Sequence, residues 1–182
     1  MRTELSSSSL AEPPAARMIP GPYPQEEMDR FLRTYLYEPG AVFVDRILRM
    51  DHEKHEIVAE MDTTRPLAFT ALQRTNDTNH PPHVSGPELV LLAGNLGCLH
   101  AYFFHGCRWD EGWVGFGNRI YRADFKRLAM IGPPLRLESV ETRSRVGPER
   151  ILLRYEFRFS QEGNLVYFGD HAGRFFKGNL AE

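Results

Sequence analysis

Apolar and polar positions repeat with two different periods along this chain, and the places where the period changes outline its elements. Between Gln25 and Tyr37, Met28, Phe31, Leu32, Tyr35 and Leu36 keep the three-and-four spacing of an amphipathic helix. Pro39-Gly40 stops it. From Val42 to Met50 apolar and charged residues alternate, the signature of a strand. Asp51 to His55 is a polar turn, and Glu56 to Asp62 forms the second arm of a hairpin. Thr63 to Val84 follows without a period and contains Pro66, Pro81 and Pro82. A connection that long in a compact domain is functional or disordered.

Gly86 to His105 then reads as a helix that is apolar on nearly every side. Ser85 and Glu88 have the spacing of a capping box at its start. Leu89, Leu92, Leu96, Leu99 and Phe103 make one stripe, and Gly94, Gly97, Cys98 and Ala101 make a face of small residues. Small side chains let a sheet approach the helix backbone, and all-round apolarity predicts that other structure wraps it. Four strands complete the pattern: Trp113 to Phe125, Leu135 to Val146, Ile151 to Ser160 and Leu165 to Lys177. Gly115 and Gly117 in the first of them mark a bulge or a close approach. The order predicts an α+β domain over residues 25–182, one antiparallel sheet curled around a central helix.

Composition narrows the function. The 182 residues fit one domain with a core of its own, and the net charge of −2 gives no reason to expect nucleic acid. Residues 1–24 (SSSS, EPPAAR, PGPYP) have too few apolar side chains to offset ordering, so a flexible arm is expected. Leu89 to Gly106 approaches the length of a membrane span, but Asn95, His100 and His105 interrupt it and strands flank it. No membrane insertion is expected. Cys98 and Cys107 make no disulfide framework, which fits a reducing cytoplasm. Cys98, His100, His105 and Cys107 lack the spacing of a four-ligand set, so no metal and no cofactor are expected.

Three short segments resemble a known superfamily. Val44-Asp45-Arg46-Ile47-Leu48 is similar to the first strand of the FabA and FabZ families of 3-hydroxyacyl-carrier-protein dehydratases, and Gly163-Asn164-Leu165-Val166-Tyr167 to their penultimate turn and last strand. His83-Val84-Ser85-Gly86-Pro87-Glu88-Leu89-Val90-Leu91 more closely resembles the opening of the central helix in FcoT-type long-chain fatty acyl-CoA thioesterases. The resemblance implies the hotdog fold, an acyl-CoA or acyl-carrier-protein thioester as substrate, and a homodimer or dimer of dimers built by strand pairing. Two positions depart from it. Leu91 stands where the dehydratases carry their carboxylate, and Ser85 where the thioesterases carry an Asn. A Tyr of that family has its counterpart in Tyr35 or Tyr37; another, expected before the His, has none between Gln73 and Asn79.

Thioester hydrolysis needs a donor for the carbonyl oxygen, a group that directs water and an apolar slot for the acyl chain. The amides at the start of the long helix, around Gly86, suit an oxyanion. His83 is the candidate base or carbonyl donor; its plain alternative is a loop histidine bonded to a backbone carbonyl. His80 is a second candidate. Glu88 directs water or merely closes the capping box, and Ser85 positions water or merely caps. Tyr37, Asn79, Leu91, Asn95 and Phe116 are the candidate substrate contacts, with Asn95 also a structural hydrogen-bonding residue. Phe103, Phe104, Tyr121 and Phe125 fill the core or line an acyl tunnel. Arg119, Arg122, Lys126 and Arg127 form a phosphate patch or a solvated strand face. Hydrolysis of a fatty acyl thioester is the first expectation. Dehydration or conjugate addition on an enoyl thioester is the alternative, and a non-catalytic acyl-thioester binder the third.

Overall fold

The computed structural model describes residues 18–76 and 78–178. Among these residues two α-helices and eight strands are α1 (Gln25–Thr34), β1 (Arg46–Asp51), β2 (Glu56–Met61), β3 (His83–Val84), α2 (Gly86–His105), β4 (Trp113–Phe125), β5 (Ala129–Met130), β6 (Leu135–Val146), β7 (Arg150–Gln161) and β8 (Asn164–Lys177). Six of the strands form one antiparallel sheet in the order β1-β2-β6-β7-β8-β4. The long helix packs on it. This is the hotdog architecture expected from the sequence.

The middle of the sheet shows why. Along β7, Ile151, Leu153, Tyr155, Phe157, Phe159 and Gln161 are buried, every second residue, because side chains leave a pleated strand on alternate faces. Leu135, Leu137 and Ser139 of β6 continue the same inner face. Against it lie Leu89, Leu92, Leu96 and Leu99 of α2, each at most 2 % exposed. Burying one such side chain stabilises the fold by about 1.5–3 kcal/mol. Gly97 is where helix and sheet come closest: a Cβ there would stand 3.4 Å from the Tyr155 ring, and the Tyr155 hydroxyl donates to the Gly97 carbonyl at 3.1 Å. Gly115 does the same for the sheet edge, since a Cβ would lie 2.3 Å from the ring of Phe175, its cross-strand partner.

Several boundaries differ from the sequence pattern. The first helix ends at Thr34 rather than Tyr37, and Tyr35 already has extended backbone. The first strand begins at Arg46; Val42 and Val44 are buried ahead of it in non-strand backbone. The ladder β3–β5, which pairs His83 with Met130, had no counterpart in the pattern. Of the arm expected over residues 1–24, residues 1–17 lie outside the described residues. From there the chain is docked: Ile19 is fully buried, and the Pro20 carbonyl accepts from the Ile47 amide at 2.9 Å. Among the described residues no helix is long and apolar enough to cross a membrane.

Candidate functional site

The outer face of α2 does not meet the sheet. Leu91 and Gly94 are exposed, Cys98 is half-buried, and they form one wall of a cavity of about 410 Å³. Tyr35, Leu36 and Tyr37, just beyond α1, close one side, and Phe116 with Gly117 of the edge strand β4 closes the other. Nothing stands within 4 Å of a Cβ built on Gly94, so the small-residue face expected to admit the sheet partly serves as cavity wall instead. Its volume lies within the range of small-molecule sites, and its lining is predominantly apolar.

Few polar groups reach this cavity, and each is held neutral. The Asn95 side chain accepts from the Phe43 amide at 2.8 Å and donates to the Tyr35 hydroxyl at 3.4 Å. Burial pushes the Tyr35 phenol far up, and the Cys98 thiol beside it up to about 11. At neutral pH that sulfur is a protonated thiol and a poor nucleophile. His171 of β8 also faces the cavity; burial lowers its pKa, and its Nε2 lies 2.8 Å from the Tyr167 hydroxyl. His171 carried no motif in the sequence. Its inward direction follows only from the alternation of β8 and the burial of Phe157 beside it.

The residues expected at the helix opening divide into two groups. Tyr37, Leu91, Asn95 and Phe116 line the cavity. His80, His83, Ser85, Gly86, Glu88 and Asn79 lie outside its wall. Glu88, 1 % exposed, is taken up by structure: its carboxylate accepts from the Phe69 amide at 2.9 Å, the Ser85 hydroxyl at 2.9 Å, the Thr70 amide and the Thr70 hydroxyl. It fastens the long loop to the helix start and has its acceptor positions engaged. Gly86 sits under Phe125, whose ring a Cβ would meet at 3.2 Å. Asn79 is exposed, its amide donating to the Asn76 side chain at 3.0 Å in a local turn.

His83 and His80 share one feature. The His83 Nδ1 lies 2.7 Å from the Pro81 carbonyl and the His80 Nδ1 2.8 Å from the Arg74 carbonyl. A carbonyl only accepts, so each Nδ1 carries a proton, and Nε2 is the nitrogen that holds the lone pair when the ring is neutral. The rings are 5.3 Å apart at the loop-to-helix junction. Arg122 and Lys126, two of the four residues read as a phosphate patch or a solvated strand face, both pair with Asp124, at 2.5 and 2.8 Å.

A second group of polar side chains gathers at the other end of α2. His105 and His55 approach the two oxygens of Glu141 at 2.6 and 3.3 Å. Burial pushes the Glu141 carboxyl up, but hydrogen bonds from His105, Ser144 and His55 outweigh it and bring it down to about 2.

No protein-family model matches the chain, and no curated protein sequence matches it. Solved structures do. The dehydratase heterocomplex ApeI:P from Xenorhabdus doucetiae superposes with a TM-score of 0.55 at 13% identity, over 85% of this chain and 92% of that one. A phenylacetic acid degradation-related protein from Ralstonia eutropha JMP134, a candidate thioesterase, gives a TM-score of 0.55 at 18% identity, over 81% and 98%. At such identities the similarity shows the hotdog fold.

Proposed function

We propose that this chain binds the acyl group of a fatty acyl-CoA or acyl-carrier-protein thioester in the cavity beside α2 and hydrolyses the thioester bond. The observation that carries this reading is the cavity itself: an apolar space bounded by an exposed glycine and an exposed leucine of the central helix, with only neutral polar groups inside. An acyl chain needs such a slot, and a charged wall would exclude it. His83 supplies the base. Its tautomer leaves Nε2 able to accept a proton from water, while the dipole at the start of α2 favours the developing oxyanion. His83 lies outside the cavity wall of its own chain, so hydrolysis by this route requires a second copy, paired along β4, to bring acyl chain and base together.

Leu91 favours hydrolysis over dehydration. It is 49% exposed within the cavity lining, so the position that carries the dehydratase carboxylate presents a methyl-bearing side chain to the substrate. The test is thiol release from acyl-CoA and acyl-carrier-protein thioesters of graded length, with acyl mass followed in parallel. Wild type is expected to release thiol, His83→Ala to lose at least about 100-fold in rate, and Glu88→Gln to keep most of its rate per folded molecule. A changed acyl mass without thiol would replace this reading by a dehydratase or addition enzyme. Saturable binding without turnover would replace it by a carrier or sensor.

A further inference from the structure

His55, His105 and Glu141 come from three separate elements and converge on one point. His105 is the last residue of α2, Glu141 lies on β6 where the β6–β7 register shifts, and His55 closes the β1–β2 hairpin. The hairpin is fixed to β6 by the backbone as well, the Glu141 amide donating to the His55 carbonyl at 3.1 Å. His55 holds a left-handed backbone, φ 46°, unusual for a residue with a Cβ. Its ring lies flat on Phe104, centroids 5.0 Å apart and planes 6° from parallel, and stands edge-on to His105. The direction of each imidazole is thus set by packing and backbone rather than by a flexible side chain.

We propose that His55 Nδ1, His105 Nε2 and a Glu141 oxygen form a binding site for one divalent transition-metal ion of the zinc class. One ligand atom from each residue lies within 4.8 Å of the other two. Around a tetrahedral zinc, with bonds of about 2.0–2.2 Å, neighbouring ligand atoms stand roughly 3.3 Å apart. The 3.3 Å between His55 Nδ1 and one Glu141 oxygen already has this spacing; His105 Nε2 lies 2.6 Å from the other oxygen, so the carboxylate must turn slightly to set one oxygen between the two imidazoles. Two imidazole nitrogens and one carboxylate oxygen make a borderline donor set, which disfavours magnesium and calcium. Glu141 and His105 have side chains only 5% and 6% exposed, whereas His55 is 33% exposed. The site is therefore walled by protein on most sides and reached from the hairpin, leaving the fourth position to water or an outside donor.

Its place in the fold defines its effect. It sits at the end of α2 opposite Gly86, about 28 Å away along a helix of 1.5 Å rise per residue. A bound ion ties the β1–β2 hairpin to the end of the central helix and to β6, and contributes to stability rather than to the reaction.

Chelator-treated full-length protein is titrated with Zn²⁺ by calorimetry and with Co²⁺ by visible absorption. The expected result is one equivalent per chain, d–d bands of a four-coordinate Co²⁺, and a melting temperature raised by about 5 °C with excess zinc. Glu141→Gln and His55→Ala each lower the affinity at least about 10-fold. His55 is the more exposed ligand and sits in a turn, so its variant remains folded even if Glu141→Gln does not. No saturable zinc binding below about 1 mM, or binding that survives His55→Ala undiminished, would overturn the assignment.

Discussion

Glu88 shows how one residue type at one position serves two opposite roles, and why burial decides between them. A carboxylate directing water needs an oxygen turned to the substrate, whereas the Glu88 oxygens turn inward to the Phe69, Thr70 and Ser85 donors. Removing such an acceptor strands the buried Ser85 hydroxyl, at a cost of about 1–3 kcal/mol, and frees the partly buried Phe69 and Thr70 donors at a smaller one. His100 shows the same force acting on a base. It is fully buried beneath Phe104 and Tyr155, its Nε2 2.9 Å from the Ser139 hydroxyl, and burial drives its pKa down to about 3. Unfolding releases it to an ordinary value of about 6.5. Between those two values the unfolded chain binds the extra proton, so this residue stabilises the fold above about pH 6.5, and that contribution fades as pH falls toward 3. Urea unfolding followed from pH 7 to pH 4 is expected to show stability falling by up to about 1.4 kcal/mol per pH unit from this group. In His100→Gln that slope is expected to be shallower by about one proton. An equal slope in both proteins would assign the acid sensitivity elsewhere.

The bounds of α2 and of β4 and β6 agree with the sequence pattern because each has a strong local cause. Ser85 and Glu88 close a capping box at one end of α2, and Gly106, with φ 67°, terminates the other. β6 alternates inner and outer positions over its first half, whereas β4, mostly exposed, starts directly after Gly112 and has no such alternation. What lay outside the pattern had no periodic cause. A two-residue ladder such as His83–Val84 with Ala129–Met130 is shorter than any repeat. The β1 boundary was misplaced because Val42, Val44 and Ile47 are all buried at spacings of two and then three, which breaks a single strand phase. Of the site, the cavity contacts Tyr37, Leu91, Asn95 and Phe116 were legible, while His171 and the His55–His105–Glu141 group were not. The last joins positions whose contacts exist only after the sheet has curled. Gly94 was legible as a small residue but not as a cavity wall, and it allows a direct test. Glycine inside a helix costs about 1 kcal/mol relative to alanine or leucine. Gly94→Leu has room for its Cβ and directs the side chain into the cavity. It is expected to raise the urea unfolding free energy by about 0.5–1 kcal/mol while abolishing thiol release from long-chain acyl thioesters. Retained turnover of the longest substrates would place the acyl chain elsewhere.

The strand order leaves the sheet two edges of unlike character. β1 is six residues long and carries Arg46 and Arg49, each held by a neighbouring acid, the kind of short charged edge that resists further pairing. β4 is thirteen residues long, and Phe116, Ile120, Tyr121 and Phe125 along it are each more than 40% exposed. A long apolar edge with unpaired backbone groups is a template for another strand. Antiparallel pairing of β4 with its own copy about a twofold axis would satisfy both edges at once and join two six-stranded sheets. The same contact would cover the mouth of the cavity, since Phe116 and Gly117 belong to its wall and Leu91 stands exposed beside it. Assembly and acyl-thioester hydrolysis are therefore expected to depend on one surface. Light scattering at micromolar concentration is expected to give a dimer or a pair of dimers. Ile120→Lys places a charge at the centre of the edge without touching the core, and is expected to give a folded monomer with thiol release reduced at least about 100-fold. A wild-type monomer with full hydrolytic activity would separate the cavity from the edge and confine the site to a single chain.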